Sequence, residues 1–253
     1  MLDYDKEAEV YDASRGGEAR AAAAADAVLG LLPERATALL DLACGTGIVT
    51  RRLAAGRPAA RVTGADLAPG MARMAAARLP GRVVIADSRR LPFPDAAFDA
   101  VTSVWLLHLV DDPADARAVV AECARVLRPG GVYVTTVDKA AAHDVGSDID
   151  AVLAGRPRRH PRDAALAVEA YAAAHGLRPS GRARFVGAGQ GRSPRDTIAD
   201  LRRGWFTGLP PGDPRAEHFA HRLAALPDQE RPRPDPHFTL CAFRREPGRP
   251  APG

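Results

Sequence analysis

The stretch Ala38-Leu39-Leu40-Asp41-Leu42, followed at once by Ala43-Cys44-Gly45-Thr46-Gly47 and Ile48-Val49-Thr50-Arg51-Arg52-Leu53, constrains this chain most. A short apolar run predicts a buried strand over 37–43. The two glycines break it, and the apolar spacing that follows suits an amphipathic helix over 47–55. A strand passing through glycines into a helix lets a ligand approach bare backbone at a helix N-terminus. The same rhythm recurs downstream. Strands are expected at 61–66, 82–87, within 98–107 and at 132–138, with helices at 18–31, 69–79 and 111–131 between them. Strands alternating with helices argue for βαβ units and a parallel sheet with right-handed crossovers. After 139 the rhythm loosens. Helices are expected at 163–175 and 194–204, a strand at 182–187 and a last strand at 237–245, while 207–236 is rich in Pro and Gly and 246–253 reads as a disordered tail.

At 253 residues, with 46% apolar residues, the chain fits one large domain or one domain with an insert. It contains no run of 18 apolar residues, and its acidic, polar beginning has no apolar signal core, so a cytoplasmic protein away from membranes is expected. Cys44, Cys123 and Cys241 lie far apart without CxxC pairing and read as reduced and structural. Charge is uneven: residues 1–150 carry 17 Lys/Arg against 21 Asp/Glu, and residues 151–253 carry 18 against 10. The basic second half is the only support for a nucleic-acid substrate. No RNA-binding module accompanies it, so a solvated arginine surface is the simpler reading.

Acids close three successive strands: Asp41, Asp66 and Asp87. In a doubly wound sheet, ligands bind at the carboxyl ends of the strands. Each acid alone can also be a helix cap. Together, beside a glycine loop, they suit a ligand rich in hydroxyl and amine donors. Asp66 lies at the distance beyond Gly47 where an acid meets ribose hydroxyls, so a nucleoside is expected. Two nucleosides compete. A nicotinamide dinucleotide needs GxGxxG, and here Gly45-Thr46-Gly47-Ile48-Val49-Thr50 lacks the third glycine. S-adenosylmethionine carries no phosphate and has a cationic sulfonium, which an acid beside the loop favours.

The segments LLDLACGTG, VTGADLAPGMARMA, ADSRRLPFPDAAFDAV and ARVLRPGGVYV, in this order, resemble the class I S-adenosylmethionine-dependent methyltransferases of the small-molecule group, among them the ubiquinone- and menaquinone-pathway enzymes. The resemblance covers residues 4–138 well and the remainder in outline. It implies a Rossmann-like α/β fold: a doubly wound, seven-stranded sheet, mostly parallel with an antiparallel last strand, helices on both faces and a lid on the substrate side. It implies that Asp41, Ala43, Gly45 and Gly47 form the methionine-side loop, with Val104 beside the cofactor. Asp66 would bind the ribose, Leu67 and Met71 would lie against the adenine, and Asp87 and Ser88 would meet its amino group and ring. Ala43 stands where the family pattern often has glycine. Tyr11 and Arg15 resemble a segment that closes over the cofactor, with Arg15 suited to the methionine carboxylate.

Methyl transfer from a sulfonium is an in-line displacement with a neutral leaving group, so positioning supplies much of the catalysis. A base is needed only if the acceptor carries a proton. His108, just after strand four, is the candidate general base, and a loop-packing histidine is the alternative. Trp105 and His143 are candidate substrate contacts, as are Trp205 and Phe206, which suit a lid or an ordinary core. Ser103-Val104-Trp105-Leu106 matches neither the Asp/Asn-Pro-Pro-aromatic motif of amino-methylating nucleobase enzymes nor the Pro-Cys of cytosine C5 enzymes. Asp111-Asp112-Pro113 reads as a helix cap, and Glu217, His218 and His221 lack a third ligand for a metal, so no metal is expected.

The expected organisation is one methyltransferase domain: a helical cover at 1–36, a cofactor half at 37–139, a substrate half with its lid at 140–245, and the tail. The expected function is methyl transfer to a small-molecule acceptor by a monomer or homodimer. The alternatives are a cofactor-binding scaffold or non-methylating enzyme on the same fold, and an RNA methyltransferase.

Overall fold

A computed structural model describes residues 11–12, 16–157, 161–204 and 208–246. Arg15, Trp205, Phe206 and the tail from 247 lie outside the described residues.

After α1 (Gly17–Leu29) the chain alternates as expected: β1 (Ala38–Leu42), α2 (Ile48–Gly56), β2 (Arg61–Asp66), α3 (Pro69–Arg78), β3 (Val83–Ile85), β4 (Phe98–Ser103), α4 (Pro113–Val126) and β5 (Leu127–Val137). Then follow α5 (Lys139–Ala142), α6 (Asp148–Leu153), α7 (Ala165–Ala173), β6 (Leu177–Val186), α8 (Pro194–Arg202), α9 (Pro214–Ala224) and β7 (His237–Arg245). The seven strands form one sheet in the order β3-β2-β1-β4-β5-β7-β6. β1 to β5 run parallel, and β7 runs antiparallel to both β5 and β6. This is the mostly parallel, doubly wound sheet with an antiparallel last strand that the sequence predicts.

Strand alternation sorts the side chains into two layers. Leu40 and Leu42 of β1 and Tyr133 of β5 join one core with Val120 and Cys123 of α4 and Val168 of α7. Leu39, Val132 and Val134 point the other way, into a core with Ala24 and Val28 of α1 and Val49 and Leu53 of α2. The three cysteines are buried free thiols. Among the described residues no helix is long and apolar enough to cross a membrane.

Three expectations differ in detail. The helix predicted over 111–131 ends at Val126, and β5 starts at Leu127 rather than 132. Leu127 already pairs with Phe98, and the chain then bulges through Gly130, whose φ is 81°. A Cβ on Gly131 would come within 2.9 Å of two carbonyl oxygens. The Pro-Gly-Gly that reads as a helix stop is therefore a bulge inside a strand. The strand expected at 182–187 begins at Leu177. Three helices, α5, α6 and α9, arise where none was predicted. Ser147 and Asp150 form a reciprocal cap on α6, and Asp213 with Pro214 starts α9. Ile149, Leu153, Leu201, Phe219 and Leu223 from α6, α8 and α9 make a third core, separate from the two sheet faces.

Candidate functional site

In a parallel sheet every strand delivers its last residues to one edge, and the acids meet there. Asp41, inside the final turn of β1, is buried. Thr50 of α2 and Thr102 of β4 each donate a hydroxyl hydrogen bond of 2.6 Å to its carboxylate. Burial pushes its pKa from the ordinary 3.8 to about 6, against the pull of the two threonines.

Asp66, the last residue of β2, accepts from Gly45 N–H at 2.8 Å with one oxygen and from Ala68 N–H at 2.9 Å with the other. It thus ties the glycine loop to the start of α3. Ala43, Gly45 and Gly47 all take positive φ, at 50°, 55° and 77°. Gly47 has a packing reason as well, because a Cβ there would lie 2.9 Å from Ala75 of α3. Gly45 faces open space, with no atom within 4 Å of where its Cβ would stand. Ala43 adopts, at some strain, a conformation that glycine takes freely.

Beyond β3, Asp87 is not an open acceptor. Arg89 chelates both of its oxygens, at 2.7 Å for the shortest contact, and reaches Asp115 at 2.9 Å. The Arg89 hydrogen bonds hold the Asp87 carboxyl below the usual range. Ser88 beside it is half-buried. Leu67 is 61% exposed at this edge, whereas Met71 is buried.

The carboxyl end of β4 carries the aromatic candidates. Ser103 is held in a buried hydroxyl network with Tyr133 (2.7 Å) and Thr135 (2.9 Å) of β5. Val104 is buried in the second core. Trp105 takes φ 62°, and its backbone N–H donates to Thr136 Oγ1 at 2.6 Å. Its ring meets Phe185 and Phe238 edge-on at 5.7 Å, and the Arg20 guanidinium lies 4.2 Å from its centroid. His143 meets the same Phe238 at 5.5 Å. Trp105 and His143, distant in sequence, therefore share one aromatic cluster. His108 sits half-buried in a single 3-10 turn, Leu107–Leu109. Asp112 caps α4 by accepting from Ala114 N–H, and Glu217 pairs with Arg202 across α8 and α9.

The N-terminal segment reaches the site through a residue that sequence reasoning missed. Tyr11 is half-buried, and its neighbour Asp12 accepts the Thr46 hydroxyl at 2.6 Å and pairs with Arg78 at 2.7 Å. Arg20, Thr50, Thr102 and Thr136 were also missed. The one available signal was the alternation that puts Thr102 on a buried strand; nothing local marked the others.

The chain matches the family described as methyltransferase domain over residues 40–135. The matched stretch runs from β1 to β5 and takes in the glycine loop, all three acids and His108. The chain is 43% identical over 96 residues to the ubiquinone/menaquinone biosynthesis C-methyltransferase UbiE of Desulfotalea psychrophila, covering 37% of this chain and 38% of that protein. It is 44% identical over 116 residues to the demethylmenaquinone methyltransferase of Thermus thermophilus, covering 44% and 50%. The chain spans between a third and a half of the length of these curated relatives. Over nearly its whole length it shares its fold with the [4+2]-cyclase SpnF, at TM-score 0.61, 20% identity and coverage of 97% and 94%.

Proposed function

We propose that this chain transfers a methyl group from S-adenosylmethionine to a small-molecule acceptor. One observation carries the reading: Asp66 closes β2 and accepts from the Gly45 amide, so the strand-end acid and the glycine loop are built as one unit. The donor set fits the cofactor. The Asp41 and Asp66 carboxylates and an open backbone edge at Gly45 suit a cationic, hydroxyl-bearing nucleoside and disfavour a pyrophosphate. In this reading Asp66 holds the ribose, Leu67 offers its exposed face to the adenine, Ser88 meets the ring, and the Ala43–Gly47 loop holds the methionine part. The names of the quinone-pathway methyltransferases that this chain is similar to support methyl transfer as the reaction.

The bound cofactor supplies an electrophilic methyl on sulfonium. The chain's own residues orient the acceptor and exclude water, an effect worth up to ~7–11 kcal/mol in favourable cases. His108 takes a proton from a hydroxyl or amine acceptor. Trp105 and His143 bound the acceptor's side, and α6, α8 and α9 on their separate core form the lid. Tyr11 closes over the methionine end. A non-methylating enzyme on this scaffold is the second reading, supported by the fold shared with a cyclase.

Titration calorimetry tests the cofactor. One S-adenosylmethionine per chain is expected, no binding of NAD, and a loss of roughly 1–3 kcal/mol in Asp66→Ala. Unchanged affinity in that variant refutes the ribose assignment. His108→Ala should bind cofactor normally and lose about 10²–10⁴-fold in turnover. A product without added methyl mass selects the second reading.

A further inference from the structure

Thr46 stands between the two loop glycines and is 2% exposed. Its hydroxyl donates to Asp12 at 2.6 Å, and its carbonyl accepts from Arg78 at 2.6 Å. The same guanidinium donates to the other Asp12 oxygen at 2.7 Å. Three residues from the N-terminal segment, the loop and the last turn of α3 thus close a ring around one peptide. Asp12 and Arg78 are 18% and 28% exposed, so solvent screens their pair less than a surface one. Gly45 and Gly47 both lie in the left-handed region without a Cβ to restrict them. The peptide between them therefore depends on outside contacts for its orientation, and its side-chain contact comes from Asp12.

We propose that Asp12 is a positioning residue for the cofactor loop, coupling its own contact with Thr46 to occupancy of that loop. The inference rests on the reading of this edge as the S-adenosylmethionine site. Asp12 acts through Thr46. Its charge is matched by Arg78, so it orients the loop without adding a net charge. Coupling is reciprocal: if the Asp12 contact tightens the loop on its ligand, the ligand stabilises the Asp12 contact by the same factor.

The experiment uses the full chain and S-adenosylhomocysteine. Calorimetry gives the affinity of the parent and of Asp12→Asn, Thr46→Ser and Thr46→Val, and urea unfolding gives their stability. Hydrogen exchange follows the first turns of α1 with and without ligand. Asp12→Asn is expected to weaken binding by roughly five- to tenfold, at the lower end of typical coupling, with a near-parental urea midpoint. Thr46→Ser keeps the hydroxyl and binds as the parent does, while Thr46→Val loses about as much as Asp12→Asn. Ligand slows exchange at the start of α1 in the parent and not in Asp12→Asn. A parent that binds and an Asp12→Asn variant that binds equally well overturn the coupling and leave the cofactor reading standing. A parent that does not bind at all overturns both.

Discussion

Replacing Asp41 with Asn should stabilise this protein at neutral pH while harming its site. Asp41 is 3% exposed, and burial raises its pKa from 3.8 to about 6. A raised carboxyl pKa means that the folded chain holds the proton more tightly than the unfolded chain does. Stability from this group is therefore greatest where the carboxyl is protonated, below about 4. It declines as pH rises through the interval up to about 6, and stays low above that. The difference between the two values corresponds to ~3 kcal/mol of penalty for the ionised form at pH 8. Asn cannot ionise, and its amide oxygen accepts from one of Thr50 and Thr102 while its amide nitrogen donates to the other. Repairing that geometry costs about 1 kcal/mol, leaving a gain of ~2 kcal/mol at pH 8 and none near pH 4. For a chain of this size that is a rise in Tm of several degrees, on a scale of about 2–4 °C per kcal/mol. Urea unfolding at pH 4, 6 and 8 measures it. An Asn variant no more stable than the parent at pH 8, or a gain that does not shrink toward pH 4, refutes the argument. Calorimetry on the same variant should show weaker S-adenosylmethionine binding.

Ala43→Gly relieves a left-handed alanine that costs roughly 1–2 kcal/mol but loosens the unfolded chain by about 0.5–1 kcal/mol. A small net gain in urea stability is expected, and a loss above about 1 kcal/mol contradicts the backbone reading. Arg89→Ala releases the Asp87 carboxylate and should leave S-adenosylmethionine affinity unchanged or a few-fold better, while Asp87→Ala lowers it. Weaker binding in Arg89→Ala would show that the arginine itself holds the ligand. Phe219→Ala removes a large side chain from the third core, at a local cost of about 3–5 kcal/mol. Exchange protection should vanish in α6, α8 and α9 and persist in the sheet; uniform loss would make these helices part of the main core.

The half of the fold from β1 to β5 was legible because buried strands, glycine breaks and Pro-started helices all pointed to the same reading. β7 was legible as a clean run of strand formers. The helices α6 and α9 were hidden by composition rather than by absence of signal. Asp213-Pro214 starts α9 as Asp112-Pro113 starts α4, and Ala216, Phe219, Ala220 and Leu223 carry helical spacing inside a Pro/Gly-rich stretch. The opening of β5 was hidden because Pro-Gly-Gly ends a helix and makes a bulge with equal ease. At the site, the acids announced themselves by closing strands. The threonines that hold Asp41 did not, since a hydroxyl has no periodic signature and its partners are fixed only by tertiary packing. Asp12 was passed over for the same reason: its meaning depends on Thr46 and Arg78, far along the chain. Arg89, only two residues from Asp87, was close enough to foresee as a chelating partner, yet an acid after a strand drew attention to ligands first.

The placement of β7 between β5 and β6 has a consequence for biosynthesis. Residues 177–186 leave the ribosome before His237–Arg245 exists, so β6 emerges with no strand to pair with. Until the last strand arrives, the nascent sheet ends at β5, whose outer edge presents unpaired backbone N–H and C=O groups beside buried apolar side chains. Two strands then join in one step, as β7 bonds to β5 on one side and β6 on the other. A ribosome stalled before His237 would release a chain with an exposed β5 edge and a stranded β6, a species made for aggregation and for recognition by chaperones.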